Sequence, residues 1–449
     1  MITSTRRAAA SSVLLLLESI VRMALVAAVS LWIARYLGPS GFGVLNFASA
    51  LVAVLLAVST MGMDSTVILR LARDSDEGLV LGSALLIRLV AAVVCLALSV
   101  GLAWLLRGDE ALAFQVCVVA AFSILASVPY VLDYSFKART EALAPAVARI
   151  VGTALAAAAK VACLLLGLGL LALASTLVLE SLLIGAGLTL AYLLTRRRRT
   201  QAPLRSDRAT VQAILRDSWP YIVSISATAA YMKIDVVLLG YLESSLETGI
   251  YSLSQKLSEV LYIVPVVLVD SAFPALVRRF DSSARQVDTS GQLLFDLAFG
   301  GALLATLLAI AVVQPLVLHL FGASYGPSVD IFYIHAWSSL AIALTYARYR
   351  WLAVLDLNTM APVVTGIGLL VSTALNVVLI PRYGAAGAAV ATLIAFSLSG
   401  YALSWIFPSL RGIARLQTRA LWPWGRLYHL AITVLRAPAA AASPGANAP

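Results

Sequence analysis

LVLGSALLIRLVAAVVCLALSVGLAWLL, residues 79–106, runs for 28 positions with one charge, Arg88, and no proline. A helix rises 1.5 Å per residue, so this stretch is longer than the roughly 30 Å hydrocarbon core of a bilayer requires. Comparable apolar runs recur from Val13 to Phe407, each bounded by short polar or Gly/Pro clusters. The 449 residues are 61% hydrophobic and 12% charged, half the charge of an average soluble domain at about 25%. Lipid is therefore the solvent, and no stretch between the runs is long enough to form a soluble domain.

The pattern predicts an all-α integral membrane protein of about twelve transmembrane helices: 11–37, 42–72, 79–106, 110–138, 143–168, 170–195, 212–240, 247–278, 290–321, 327–355, 358–381 and 384–410. Arg6 and Arg7 ahead of Val13 resemble the start of a signal peptide, but Glu18 and Arg22 interrupt the apolar core, so the segment reads as an uncleaved first helix. Basic residues concentrate in alternate connectors. One set holds Arg70 and Arg73, Lys137 and Arg139, Arg196 to Arg199 with Arg205, Arg278 and Arg279, Arg348 and Arg350, and Arg411, Arg415 and Arg419. The other holds only Arg35, Arg107 and Arg382 beside the acids Asp109, Glu110, Glu243 and Glu247. Basic residues near span ends stay on the cytoplasmic side, which places both termini there. The net charge of +10 is thus a topology signal; with no basic arm or basic helix face, nucleic acid is excluded as a partner.

The longest polar break, Thr195 to Arg216, divides the chain into an N-terminal lobe (1–195), a basic cytoplasmic linker (196–211) and a C-terminal lobe (212–410), each lobe of six helices around a central cavity. LGPSGFGVLN (37–46) has a counterpart in LGYLESSLETGIYS (239–252), and GLGLLALASTLVLESLLIG (167–185) in RYGAAGAAVATLIAFSLSG (382–400). The order is the same in both halves, which describes a parallel repeat about an axis along the membrane normal. Gly38, Gly41 and Gly43 read as a tight turn with Pro39, while Pro129, Pro265 and Pro274 bend the spans that contain them. The tail, 411–449, mixes basic residues with Trp422, Trp424 and Tyr428, a composition suited to the cytoplasmic headgroup boundary, and ends in a disordered Ala/Pro/Ser stretch.

ARYLGPSGFGVLNFA (34–48), MGMDSTVILRLARD (61–74), WPYIVSISATAAYMKIDVVLLGYLESSLETGIYSLSQKLSEVLYIVP (219–265) and LNVVLIPRYGAAGAAVATLIA (375–395) carry a family signature. Together they resemble the polysaccharide-export branch, the Wzx-type oligosaccharide flippases, of the multidrug/oligosaccharidyl-lipid/polysaccharide exporter superfamily, in order over about residues 10–410. The resemblance implies alternation between inward-open and outward-open states. It implies as cargo an undecaprenyl-pyrophosphate-linked oligosaccharide, moved from the cytoplasmic to the outer leaflet of a bacterial inner membrane during cell-surface polysaccharide biosynthesis.

An ionisable side chain at the bilayer centre costs about 2.5–3.5 kcal/mol on insertion scales, so it must pair, snorkel or face a wet cavity. Arg22 has Glu18 one turn away, and Lys256 has Glu259 at i+3. Arg88, Arg149 and Lys160 have no acid at i±3 or i±4, which makes them the stronger candidates to meet a pyrophosphate; Arg88 and Arg149 are also close enough to helix ends to snorkel. Lys233 completes the candidate cavity cations, and Asp235, two positions along the helix, cannot share its face. Asp64 and Asp235 are candidates to bind a coupling proton or sodium ion.

Cys95, Cys117 and Cys163 lie inside apolar runs without CxxC spacing, and His319, His335 and His429 are scattered, so no disulfide, metal site or cofactor is expected. Asp74 to Asp76, DSD, is the one hint of a metal-dependent glycosyltransferase or polymerase; it sits in a short connector and reads as a charged turn. A drug/cation antiporter of the same superfamily would need acids where a lipid pyrophosphate needs cations. A lipid II flippase of that superfamily is expected to carry two further helices. The expected partners are the lipid-linked oligosaccharide, membrane lipids and other polysaccharide-assembly proteins.

Overall fold

The computed structural model describes residues 2–73, 76–199, 203–278, 284–355, 357 and 359–426. Among them no strand occurs. The helices are α1 (Ile2–Ser59), α2 (Met63–Ala72), α3 (Glu77–Arg107), α4 (Ala111–Ala126), α5 (Asp133–Ala138), α6 (Leu143–Leu165), α7 (Leu170–Arg199), α8 (Arg208–Leu242), α9 (Ser245–Leu261) and α10 (Ile263–Arg278). They continue as α11 (Ala284–Phe321), α12 (Gly326–His335), α13 (Ser338–Val354), α14 (Met360–Ser397), α15 (Leu403–Ile406) and α16 (Arg411–Ala420). Eight of the described segments are long and apolar enough to cross a bilayer, and the protein is a multi-pass membrane protein.

Some boundaries follow the sequence pattern and others depart from it, each for a local backbone reason. The break expected beside Pro39 is present: Gly38 leaves helical geometry (φ 64°, ψ 177°) and kinks α1 into two helices. The helix expected over 42–72 stops at Ser59, because Met61 and Gly62 are both left-handed (φ 52° and 56°). The span expected over 110–138 breaks into a 3₁₀ turn at Val128–Leu132 carrying Pro129, and α-helical geometry resumes with α5 at Asp133. The span over 247–278 breaks at Tyr262, shortly before Pro265. The break expected between 381 and 384 is likewise present: Gly384 (φ 53°, ψ −134°) kinks α14 into two helices, the second of which passes into a π turn, Leu398–Ala402.

The chain forms two compact units: Met1–Lys256 with Leu316–Ile331 and Leu369–Ala391, and Leu257–Pro315 with Phe332–Gly368 and Thr392–Pro449. In the first, Met63, Val67, Leu81, Ile87, Val131, Tyr134, Phe136, Tyr192 and Ile214 pack one core where α2, α3, α5, α7 and α8 meet. In the second, Phe295, Trp351, Leu410, Ile413 and Leu416 pack another. Helix α16 buries Ile413, Leu416 and Ala420 there, with Arg411, Arg415 and Arg419 on its exposed face. The expected interfacial tail thus begins as an amphipathic helix; its part beyond residue 426, and Asp74 and Ser75 of the DSD motif, lie outside the described residues.

Gly43 and Gly249 mark a close crossing of α1 and α9 in the first unit. A Cβ on Gly43 would lie 1.9 Å from the Ser245 carbonyl oxygen, and one on Gly249 would lie 1.8 Å from that of Pro39. Residue 43 thus meets 245 and residue 249 meets 39, each pair spanning four positions, which is the reciprocity of a local two-fold. These residues lie in the two phrases, 37–46 and 239–252, whose likeness the sequence displays.

Candidate functional site

Helices α6 and α7 form an antiparallel hairpin whose small residues permit close approach. A Cβ on Gly152 would stand 2.6 Å from Ile184 Cγ1 and one on Gly187 3.0 Å from Ala148 Cβ. The face of this hairpin turned toward α1 and α4 is polar. It bounds two adjoining cavities in the first unit, of about 380 Å³ and 190 Å³, which share Ser49, Thr153, Leu177 and Glu180 as lining. Arg22, Arg149, Asp133 and Tyr130 face the larger cavity; Lys160, Lys256 and Asn46 face the smaller.

Four of the six candidate cations, Arg22, Arg149, Lys160 and Lys256, therefore share one chamber system. Lys160 Nζ bonds Glu180 Oε2 at 2.7 Å, and Thr153 Oγ1 donates to Glu180 Oε1 at 3.2 Å. Arg149 reaches Asp133 Oδ2 at 3.2 Å, and Lys137 reaches the same oxygen at 2.9 Å. Arg149 and Lys160, which have no acid at i±3 or i±4, take their acids from neighbouring elements. Arg22 is half-buried on the cavity wall, while the Glu18 side chain expected to pair with it lies outside the described residues. Asp133 and Glu180 also line these cavities and are absent from the sequence-based candidates. Both were detectable as ionisable positions inside apolar runs.

Arg88 is 3% exposed, donates to Ser127 Oγ at 3.1 Å and lines neither cavity. Asp64 accepts the Tyr134 hydroxyl. Lys233 is half-buried on α8 and also lies outside both cavities. Asp235 is 3% exposed and accepts from Tyr251 Oη at 2.5 Å and Gln255 Nε2 at 3.1 Å, the two donors standing one turn apart on α9. Ser252 and Ser254 of that helix are buried with hydroxyls that find no hydrogen-bond partner among the described residues. No group of His, Cys, Asp and Glu among the described residues has the arrangement to hold a metal ion.

Comparison with known proteins agrees with this architecture. The chain is similar to a probable flippase, AglR, of Haloferax volcanii, at 29% identity over 210 residues, 44% of this chain and 41% of that protein. The matched part thus spans about two fifths of the relative's length. In fold the chain resembles the lipid II flippase MurJ in an inward closed conformation, with a TM-score of 0.71, 12% identity, and 94% and 93% of the two chains covered. It also resembles an inward-facing multidrug resistance MATE family transporter of the MOP superfamily, with a TM-score of 0.65, 14% identity, and 88% and 96% covered. A family model described as polysaccharide biosynthesis protein matches residues 8–280, more than half of the sequence. The chain belongs to that family of polysaccharide biosynthesis proteins.

Proposed function

We propose that the protein carries a polyisoprenyl-pyrophosphate-linked oligosaccharide from the cytoplasmic to the outer leaflet of a bacterial cytoplasmic membrane, by alternating access, as a step in making a cell-surface polysaccharide. The observation that carries this reading is the polar chamber system inside a bundle of membrane helices, lined by Arg22, Arg149, Lys160 and Lys256 against two carboxylates, Asp133 and Glu180. Cations at such depth are costly unless they face water or an anion. Arg offers a fork of donors matched to phosphate oxygens, and Lys a mobile point charge. An organic cation would meet the opposite balance, because both chamber carboxylates are already engaged by Lys160 and Arg149.

Arg88 and Lys233 belong to this reading as cations that the cargo meets only in another state of the transport cycle. Asp235 and Asp64 are its candidates for coupling to H⁺ or Na⁺. Asp235 suits a proton best, because Tyr251 and Gln255 already fill part of the coordination sphere a metal ion would use. Other polysaccharide-assembly proteins would supply the cargo and receive it.

The test is reconstitution of the full chain into liposomes with a fluorescent polyisoprenyl-pyrophosphate glycan, followed by leaflet exchange. Arg149→Ala and Lys160→Ala should each slow exchange at least tenfold, since a charge-assisted contact is worth about 1.5–3 kcal/mol. Exchange at the parent rate in both variants would refute the chamber as the path.

A further inference from the structure

The outer face of the α6–α7 hairpin carries an open groove of about 1030 Å³. Its walls include Val147, Val151, Leu155 and Leu190, which are 49%, 49%, 52% and 59% exposed, so no described part of this chain covers them. Thr140, Glu141 and Thr195 lie at one end, where α6 begins and α7 approaches the run Arg196 to Arg199. The groove and the polar chamber occupy opposite faces of the same hairpin. Short helix α5 joins them: Phe136 lines the groove, and Asp133, three residues earlier, lines the chamber.

The seam between α5 and α6 is closed by charge. Asp133 Oδ2 is shared between Lys137 Nζ at 2.9 Å and Arg149 at 3.2 Å, while Asp133 Oδ1 is buried without a hydrogen-bond partner. Two cations thus meet at one carboxylate between an apolar groove and a polar cavity. An amphiphile whose chain and sugar are joined through phosphate matches that order of surfaces.

Resting on the transport reading above, we propose that the α5–α6 seam is a lateral entry at which the phosphate of a lipid-linked glycan meets Lys137 and Arg149. Its isoprenoid chain lies in the α6–α7 groove and its sugar in the chamber behind Arg149. A phosphate oxygen replaces Asp133 on Arg149 as the cargo enters, so the ion cluster opens only for an anion. The polyisoprenoid cargo is preferred over a bilayer phospholipid because only a lipid bearing a sugar beyond its phosphate uses both compartments.

The test uses the full chain in phosphatidylcholine/phosphatidylglycerol nanodiscs with a diazirine-bearing polyisoprenyl phosphate, and in liposomes with the fluorescent glycan lipid. Photoadducts should concentrate on residues 143–155 and 183–194, and unlabelled polyisoprenyl phosphate should suppress them at least fivefold more effectively than phosphatidylglycerol. Val147→Trp and Val151→Trp, which fill the groove, should slow long-chain exchange at least fivefold. Binding of a short-chain citronellyl-pyrophosphate glycan should stay within twofold. Leu98→Trp, at a 51% exposed position on α3, should change neither. Adducts spread evenly over lipid-facing helices, equal competition by phosphatidylglycerol, or groove variants that exchange at the parent rate would each overturn the proposal. If the parent protein moved no glycan lipid the transport reading would fail, while the adduct map would still decide whether the groove takes an isoprenoid chain.

Discussion

Lys160 illustrates what a single residue discloses through sequence and what it withholds. An ammonium near the middle of an apolar run is visible at once, and its cost in hydrocarbon forces a partner or a wet cavity. Which partner is invisible, because helical spacing reports only neighbours at i±3 and i±4. Glu180 lies 20 positions away on the next helix, at 2.7 Å, and Asp133 lies 16 positions before Arg149. The pairing makes a quantitative expectation possible. Breaking a fully buried ion pair costs about 3–5 kcal/mol because one charge is stranded. Lys160 and Glu180 side chains are 11% and 21% exposed, so Glu180→Gln should lose about 1–3 kcal/mol of stability. Adding Lys160→Met should recover most of that loss, because the stranded ammonium is gone. Thermal unfolding of the two single variants and the double variant in detergent measures the cycle. Losses that simply add would show that the two side chains do not share their charge.

At the scale of elements, apolar runs were legible and only some of their interruptions were. The expected helix 79–106 is observed as Glu77–Arg107, because Asp76 caps it, accepting from Leu79 N at 3.1 Å. The expected helix 42–72 breaks at left-handed Met61 and Gly62, inside the polar and glycine cluster Ser59 to Thr66, too short an interruption to end a span by composition alone. The linker was legible only as a polar gap; its path over the first turns of α3 was not. Arg205 Nη2 bonds Asp76 Oδ2 at 2.5 Å, and Arg205 N donates to Gly78 O at 3.1 Å. Gly82 leaves room for this strap, for a Cβ there would lie 2.2 Å from the Arg205 carbonyl oxygen. The hydrogen bond from Arg205, followed by that from Leu79 N, holds the Asp76 carboxyl below its ordinary 3.8. A carboxylate depressed in the folded state stabilises above its unfolded pKa, and that contribution disappears as pH falls through the lower folded value. Exchange protection of the Arg205 amide, corrected for the intrinsic rate at each pH, should therefore be constant from about pH 7 down to pH 5 and fall below about pH 4. In Asp76→Ala the protection should be low throughout. A strap whose protection ignores both acid and the substitution would be held by backbone contacts alone.

For the whole molecule, the likeness between residues 37–46 and 239–252 has a physical counterpart in the reciprocal approach of Gly43 to Ser245 and Gly249 to Pro39. A repeat folded about an axis between its copies would bring such phrases together, with small residues where the backbones touch. What sequence could not display is how distant segments assemble: Leu316–Ile331 and Leu369–Ala391 cluster with the first 256 residues, a grouping that no local pattern encodes. Sidedness, by contrast, is carried by sequence alone, through the basic residues of alternate connectors. Helix α3 offers the sharpest test, since exposed Arg73 precedes it and exposed Asp109 follows it. Cys95 and Cys117 are buried, so with Cys163 changed to Ser the chain presents little thiol background to a membrane-impermeant maleimide. In intact cells Asp109→Cys should label, whereas Arg73→Cys should label only after permeabilisation. The inverse pattern would turn the basic connectors outward and reverse the direction in which the chamber first meets its cargo. Labelling of both positions in intact cells would mean that α3 does not cross the bilayer, and with it would go the reading of residues 79–106 on which the fold was built.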